Sequence, residues 1–421
     1  MHLLSNSLLP RHNTSEEEVF VKQLETSCDT SLHVATNGSG PLITPLVYST
    51  ILSDRTGHDV WLKLETANLS GSFKDRGIFK SAELGYAQHG PETHLIAASG
   101  GNAGLAAATA AKRLGVRCTV VVPKRTEDKV VRKLQELGAQ VENQTADVLD
   151  DADMLARTMA ALDPKGVYIH PFESWHTALG HSSIVEEIRD QLLRAGVPNG
   201  RPDVVTCSVG GGGLIRGIIH GINTMISQHP TFGSPKPKLI ACQDFGAHSF
   251  GASFNRWLLD PDAATTSDGN TVVSLSAITS QATSLGAKTC SAAALSAAVA
   301  YSQSDISSSA TPAPHLSTVI VDDAISASAC WQFKRDHHIE VEMACGAALS
   351  PIYLNKRILD RVLAYGTLPN GAATSKTHER QTIVVVVCGG SKVDGDMLAR
   401  YESDYGEADA DWRVMIDGQD V

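Results

Sequence analysis

The chain has 421 residues, 42% of them hydrophobic and 19% charged, which is typical of a globular protein with one large or two medium domains. Its formal net charge of −11 argues against nucleic acid or an anionic membrane as the main partner. Eight cysteines without CxxC pairs, and no apolar run long enough to span a membrane, predict a soluble cytoplasmic protein with reduced thiols.

Residues 1–40 are polar and weakly periodic, and we interpret them as a flexible N-terminal extension. From residue 41 onwards, apolar strand patterns alternate with longer helical patterns. Continuous Val and Ile runs in this alternation predict parallel sheets that are covered by helices on both faces. The predicted strands are residues 60–65, 95–98, 119–122, 167–169, 204–207, 238–242, 319–321 and 382–388. The predicted helices are residues 103–114, 128–137 and 184–193, with a further helix after Leu214.

Three tracts depart from this alternation. Residues 255–268 carry Pro, Asp, Thr and Ser and predict a surface loop. Residues 367–380 are polar and rich in small residues, which indicates an insertion before the last strand. Residues 401–421 form an acidic tail with little periodicity, which we expect to be partly disordered.

A lysine lies among small and turn-forming residues directly after the first long strand pattern. The segment reads Ser70-Gly71-Ser72-Phe73-Lys74-Asp75-Arg76-Gly77. Glycines let a backbone bend closely around a ligand, and a lysine amine can form a Schiff base with an aldehyde cofactor. This setting therefore favours a chemical role for Lys74 over that of an ordinary solvated cation.

Two glycine-rich segments each lie between a predicted strand and a predicted helix. The first, residues 98–104, reads ASGGNAG and offers free backbone N–H groups at a helix N-terminus, which favours binding of a carboxylate. A tight turn capped by Ser or Asn is the alternative. The second, residues 210–213, has four consecutive glycines, whose entropic cost a structural turn alone does not explain. It predicts a backbone nest for a phosphate, and without a GK[ST] ending it is not a nucleotide P-loop.

A fourth segment, Cys388-Gly389-Gly390-Ser391, follows the apolar run 383–387. A cysteine at a buried strand end is often only a small apolar residue. Ligands of open α/β sheets collect at the carboxyl ends of parallel strands, so a ligand contact at Cys388 is the other interpretation.

In this order, the four segments resemble the pyridoxal-phosphate (PLP) dependent serine/threonine dehydratases, most closely the L-serine dehydratases. The resemblance runs from about residue 41 to about residue 392, and includes residues 245–250, 278–280, 285–289 and 341–349. It implies an α/β, fold-type II (tryptophan synthase β-like) enzyme with two domains. Residues 68–180 would form the small mobile domain, residues 41–67 with 181–400 the large PLP-binding domain, and a homodimer would be expected.

The resemblance also implies residue roles. Lys74 would hold the cofactor as a Schiff base and then act as the catalytic base that removes the α-proton of the substrate. Cys388 would face the pyridine nitrogen, where a thiol cannot force protonation as a carboxylate would, and this favours prompt elimination over racemisation or transamination. The other cofactor contacts implied are Phe73 on the ring face, Asn102 at the 3′-oxygen, and Gly210, Gly211, Gly212, Gly213 and Leu214 around the phosphate. The substrate carboxylate would meet Ser99, Gly100, Asn102 and Ala103.

The implied reaction is β-elimination of water from L-serine or L-threonine, with release of an aminoacrylate that hydrolyses to the 2-oxo acid and ammonia. Threonine synthase-like replacement, racemisation, dehydration of a specialised β-hydroxy amino acid, and a non-catalytic PLP-fold protein remain as alternatives. No C-terminal regulatory domain is recognisable, so feedback control by isoleucine is not expected.

The sequence departs from the family pattern at several positions. Asp75 and Ser284 stand where the close family has apolar residues, and Lys392-Val393 stands where it often has Asn-Ile. The family also binds a monovalent cation, whose implied ligands here are the carbonyls of Ala247, Leu285 and Ala287 together with Gln243. Gln243 replaces a charged glutamate, which predicts a weak dependence on potassium.

Overall fold

The computed structural model describes residues 42–260, 265–266, 269–270, 272–303, 314–354, 356–364, 380–406 and 412–421. The predicted N-terminal extension and nearly all of the predicted insertion at 367–380 lie outside these ranges.

The strands within the described ranges are β1 (Leu46–Tyr48), β2 (Asp59–Leu64), β3 (His94–Ala98), β4 (Arg117–Val121), β5 (Gln140–Glu142), β6 (Gly166–Ile169), β7 (Val204–Ser208), β8 (Lys238–Asp244), β9 (Thr265–Thr266), β10 (Gly269–Asn270), β11 (Leu316–Val321), β12 (Thr382–Val387), β13 (Val414–Ile416) and β14 (Gln419–Asp420). The α-helices there are α1 (Thr50–Thr56), α2 (Lys74–His89), α3 (Asn102–Leu114), α4 (Asp128–Glu136), α5 (Leu149–Leu162), α6 (Trp175–Arg194), α7 (Gly213–Gln228), α8 (Ser249–Leu259), α9 (Ala292–Gln303), α10 (Asp323–His337), α11 (Met343–Tyr353), α12 (Lys356–Ala364) and α13 (Gly395–Tyr405).

Eight strands form the large sheet, in the order β1-β2-β12-β7-β8-β11-β13-β14. The pairs from β2 to β11 are parallel, whereas β1, β13 and β14 pair antiparallel at the two edges. Strand β12 shows why its apolar run is continuous: Val385 faces one core with α10 and α11, and Val384 faces the other with α6 to α9. Both faces are therefore covered, as parallel strands require.

A second sheet of four parallel strands has the order β5-β4-β3-β6. Its residues are contiguous in the sequence, between His94 and Ile169. Two apolar clusters cover its opposite faces, one built with α2 and α3 and the other with α5. The α/β class with parallel-rich sheets flanked by helices is thus confirmed, as are the strands and helices predicted above.

One prediction from the sequence is wrong in detail. Residues 255–259 are not loop but the last turns of α8, where Asn255 and Trp257 are buried. This error comes from local polarity, since apolar residues at helical spacing face the core.

Part of the C-terminal tail belongs to the large sheet. Strand β13 pairs with β11 over Val414–Ile416, and β14 continues the sheet. Partial disorder of the tail stays a prediction, because residues 407–411 lie outside the described ranges.

A buried ion cluster fixes the start of α2. Arg76 contacts Glu65 at 2.7 Å and Glu187 at 2.5 Å, and Lys63 contacts Glu187 at 2.6 Å. Removing one member of such a cluster leaves a buried charge without compensation. The cluster ties α2, two residues after Lys74, to β2 and α6.

None of the helices in the described ranges is both long enough and apolar enough to cross a membrane.

Candidate active site

The lysine segment lies directly on the segment that follows β12. Ser72 and Gly389 form an isolated antiparallel bridge, and the backbone N–H of Phe73 donates to the carbonyl of Cys388 at 3.2 Å. Because these bonds use backbone atoms, they place Lys74, the first residue of α2, beside Cys388 whatever the side chains do. The structure thus joins two segments that are far apart in the sequence.

Asp75 closes the loop before Lys74. Its carboxylate accepts a hydrogen bond from the backbone N–H of Ser70 at 2.9 Å, and the residue is buried. Burial raises the pKa of Asp75. The polar residue that departs from the family pattern therefore holds the backbone turn rather than facing the site.

The amine of Lys74 is held in place by few polar contacts. Its Nζ donates to the carbonyl of Pro171 at 2.8 Å and lies 5.0 Å from the centroid of the Phe73 ring. Removal from water lowers its pKa to about 8, because burial penalises the charged form. At neutral pH, a larger fraction of Lys74 is therefore the neutral, nucleophilic amine than is the case for a surface lysine.

Asn102 begins α3, where the chain leaves the carboxyl end of β3. Its Oδ1 accepts hydrogen bonds from the backbone N–H and the hydroxyl of Ser391, each at 3.0 Å. In the preceding loop, Ser99 accepts a hydrogen bond from the N–H of Gly101 at 3.2 Å. Gly100 is half-buried and lies in the same turn as Asn102.

The tetraglycine segment, residues 210–213, follows β7 and opens α7. Within the described ranges, its backbone N–H groups make no hydrogen bond to a protein acceptor. Gly212 has a φ of +97°, and a Cβ there would lie 2.5 Å from the Cβ of Ala294. A Cβ on Gly211 would lie 2.4 Å from the ring of Phe172. Glycine is thus required, and the free N–H groups at a helix N-terminus form a cradle that fits a phosphate.

Cys388 contacts both the lysine segment and the end of β7, the strand that precedes the glycine cradle. It is buried, and its Sγ lies 3.4 Å from the hydroxyl of Ser208, the last residue of β7. Together, the amine, the Phe73 ring, the thiol and the glycine cradle form a donor set that fits an aromatic aldehyde with a phosphate group, as PLP is.

The predicted cation ligands are already engaged by protein donors. The Nε2 of Gln243 donates to the carbonyls of Val209 at 2.6 Å and Ala247 at 3.0 Å. The hydroxyl of Ser249 donates to the carbonyl of Ala287 at 2.8 Å. Leu285, the remaining predicted ligand, lies beside Gly210. The amide nitrogen of Gln243 therefore lies between the carbonyl of Ala247, a predicted ligand, and the carbonyl of Val209.

Asp244 does not join this group. It is buried, and burial raises its pKa well above the usual range, with Asp323 and Asp322 as the charged neighbours that add to the effect. Successive strand residues face opposite sides of a sheet, so its carboxyl lies on the other side of β8 from Gln243.

One buried carboxylate at this site, that of Glu342, was not predicted from the sequence. Glu342 precedes α11, and its side chain accepts hydrogen bonds from Asn102, Ser284 and the backbone of Lys392. A single glutamate with partners on three distant segments has no local signature. Its only signal was its place at the start of the 341–349 motif.

Known proteins share the sequence segments that form this site. The family model described as pyridoxal-phosphate dependent enzyme matches residues 39–389. The Mus musculus protein named serine dehydratase-like is 36% identical over 356 residues, 85% of this chain and 92% of its own. The Homo sapiens L-serine dehydratase/L-threonine deaminase is 36% identical over 350 residues, 83% of this chain and 91% of its own.

Solved structures with the same fold include a fungal L-serine ammonia-lyase from Rhizomucor miehei. It is similar with a TM-score of 0.67 at 25% identity, over 87% of this chain and 99% of its own. The processed threonine deaminase isoform 2 of Solanum lycopersicum has a TM-score of 0.65 at 19% identity, over 93% of this chain and 94% of its own, which supports the fold alone.

Proposed function

The chain belongs to the family of pyridoxal-phosphate dependent enzymes, and on that premise we propose that it is an L-serine/L-threonine ammonia-lyase. It eliminates water from the β-hydroxy amino acid and yields pyruvate or 2-oxobutanoate with ammonia. The observation that carries this conclusion is the docking of the Lys74 segment on Cys388, beside the glycine cradle, in a chain 36% identical to a human serine dehydratase/threonine deaminase.

PLP, when bound, supplies an electron sink for the negative charge that develops at the α-carbon of the substrate. Residues 210–213 would hold its phosphate with their free N–H groups. Phe73 would contact its ring, and Asn102 would donate to its 3′-oxygen. Lys74 would hold the cofactor through Nζ, and the same atom, as a free amine, would accept the α-proton of the substrate. Ser99, Gly100 and Ala103 with Asn102 hold the substrate carboxylate at the N-terminus of α3.

The assay that tests this function measures 2-oxo acid and ammonia formed from L-serine and L-threonine by the PLP-loaded protein. We expect both products from both substrates. Racemised serine or a replacement product without ammonia would instead point to the other reactions of this fold type. Activity confined to another β-hydroxy amino acid would indicate a specialised dehydratase.

Substitutions of Cys388 test whether this residue faces the pyridine nitrogen of the cofactor. We expect Cys388→Ser to retain PLP and to eliminate within about tenfold of the parent rate, because a hydroxyl still hydrogen-bonds the ring nitrogen. Cys388→Asp should protonate that nitrogen and slow elimination relative to racemisation and transamination. The measurement is the ratio of pyruvate to D-serine and to the amine form of the cofactor. A Cys388→Asp protein with the parent's ratio would contradict this assignment.

We propose that the Gln243 amide takes the place of the monovalent cation that the family resemblance implies. Its Oε1 accepts from the N–H of Gly251 at 2.6 Å, so its Nε2 must face the carbonyls of Val209 and Ala247. Those oxygens are therefore satisfied without an ion. We propose activity with little dependence on potassium.

Gln243→Glu should create potassium dependence. The carboxylate cannot donate to the two carbonyls, and the resulting group of oxygens needs a hard cation between them. We expect potassium to raise both the activity and the melting temperature of this variant, with tetramethylammonium as the inert control. Strong potassium activation of the natural protein, unchanged by Gln243→Glu, would argue against the proposal.

We further propose that residues 68–180 form a small domain that closes over the substrate, and that residues 41–67 with 181–400 form the large domain. The separate four-stranded sheet between His94 and Ile169 supports this division. A cytoplasmic homodimer in amino acid metabolism, with its pyruvate available for gluconeogenesis, completes the proposal.

A further inference from the structure

Glu342 holds together three of the segments that form the site. Its Oε1 accepts from the backbone N–H of Lys392 at 2.8 Å, and its Oε2 accepts from the hydroxyl of Ser284 at 2.5 Å. The Nδ2 of Asn102 lies 3.2 Å from both carboxylate oxygens. The residue is only 6% exposed, so these hydrogen bonds replace most of its hydration.

The space for this carboxylate is built into the backbone. Gly390, in the segment after β12, has a φ of +138°, and a Cβ there would lie 2.2 Å from the carboxyl carbon of Glu342. A larger residue at Gly390 would displace the carboxylate. Position 390 therefore requires a glycine because the carboxylate of Glu342 occupies the space of a Cβ.

Glu342 and the backbone of Ser391 together determine which way the amide of Asn102 points. The backbone N–H of Ser391 can only donate, so the amide atom facing it must be Oδ1. A carboxylate can only accept, so the atom facing Glu342 must be Nδ2. One N–H of Nδ2 is shared between the two carboxylate oxygens, and the second N–H is left for a ligand.

The same carboxylate determines the polarity of Ser284. Because the carboxylate has no proton to give, the hydroxyl of Ser284 must donate its own to Oε2. Only lone pairs of this oxygen then remain for a ligand. Ser284 lies at the glycine cradle, since its carbonyl would be 3.3 Å from a Cβ on Gly210.

We propose that Glu342 is a positioning residue that sets the hydrogen-bond polarity of the cofactor site: with Ser391 it keeps Asn102 a donor toward PLP, and by itself it turns the proton of Ser284 away from PLP. The inference rests on the proposed function, because PLP is the ligand that these donor and acceptor groups would contact. It also gives the departure at Ser284 a role, because a hydroxyl that donates to Glu342 presents only lone pairs toward the ligand.

Glu342→Gln tests this with little change of shape. The glutamine oxygen can still accept from Lys392 and Asn102, but its amide nitrogen must donate to Ser284, whose hydroxyl then turns its proton toward the ligand. We expect apoprotein titrated with PLP to bind it about tenfold more weakly, as loss of one charged hydrogen bond implies, with a shifted absorption maximum of the bound cofactor. In the Ser284→Ala background, the same exchange should shift the maximum less.

The matched control is Glu340→Gln, two residues away, where the exposed carboxylate pairs with Lys334 at 2.8 Å. It should leave the affinity, the absorption maximum and the melting temperature of the apoprotein unchanged. If the natural protein fails to bind PLP, the proposed function itself fails. If it binds PLP, and Glu342→Gln either matches it or lowers only the melting temperature with the absorption maximum unmoved, Glu342 does not set the polarity of the site.

Discussion

Lys74→Ala is expected to abolish production of 2-oxo acid and ammonia, by about three orders of magnitude or more, while the protein stays folded. The variant lacks both the amine that holds PLP covalently and the base that takes the α-proton, and each loss alone is severe. The fold should tolerate the change, because the Lys74 amine makes one hydrogen bond within the part of the chain that the structure describes, to Pro171, and its burial disfavours the charged form. Product assays and a thermal melt of both proteins give the comparison.

Lys80→Ala is the matched control for this variant. Lys80 lies on the same helix, α2, but its side chain is exposed, and it pairs with Glu83 at 3.3 Å. Surface pairs of this kind contribute little, so activity and stability should both stay near those of the natural protein. Substantial deamination of serine or threonine by Lys74→Ala would remove Lys74 from its proposed role.

Gly212→Ala should weaken PLP binding by roughly 100-fold, which corresponds to about 2.7 kcal/mol. The backbone at Gly212 has a φ of +97°, which a residue with a Cβ adopts only at a cost, and the new methyl group would meet Ala294 at 2.5 Å. Relief of that contact must turn the neighbouring N–H groups away from the phosphate. Titration of the apoprotein with PLP measures the loss, and activity should return in part at high PLP.

Gly196→Ala separates this effect from backbone strain in general. Gly196 has a similar φ of +84°, but it is exposed, and no atom lies within 4 Å of a Cβ placed there. We expect this variant to lose a little stability and to bind PLP normally. Equal PLP affinity in the two alanine variants would mean that residues 210–213 do not cradle the phosphate.

Much of the fold was predictable because parallel strands are buried on both faces. The apolar run Thr382–Val387 predicted a buried strand, and the glycine-rich segments after β3, β7 and β12 marked the ligand side of the sheets. Short elements were harder, since Val414–Ile416 has only three residues and owes its place to pairing with β11. The helical spacing of Phe250, Phe254 and Trp257 was present in the sequence, but the Pro and Asp residues that follow obscured it.

The candidate site was predictable where several unusual residues are adjacent, as in the tetraglycine segment. Isolated residues gave no such signal. Glu342 acts through Asn102 and Ser284, neither of which is near it in sequence. At Gln243, the sequence showed that a negative charge is lost. The hydrogen bonds from its amide to Val209 and Ala247, which compensate for that loss, could be seen only in the structure.

The position of β12 has a consequence for how the protein is made. This strand lies between β2 and β7 in the large sheet, yet it is synthesised after nearly all the other elements. On the ribosome, β2 and β7 must therefore wait for their shared neighbour, with apolar edges uncovered, while the contiguous sheet from β3 to β6 can close early. The nascent chain can complete the proposed PLP site only after β12 has been synthesised and Cys388 packs beside the Lys74 segment. Until then, cofactor binding at this site cannot stabilise the large sheet, and its unpaired apolar edges stay open to aggregation.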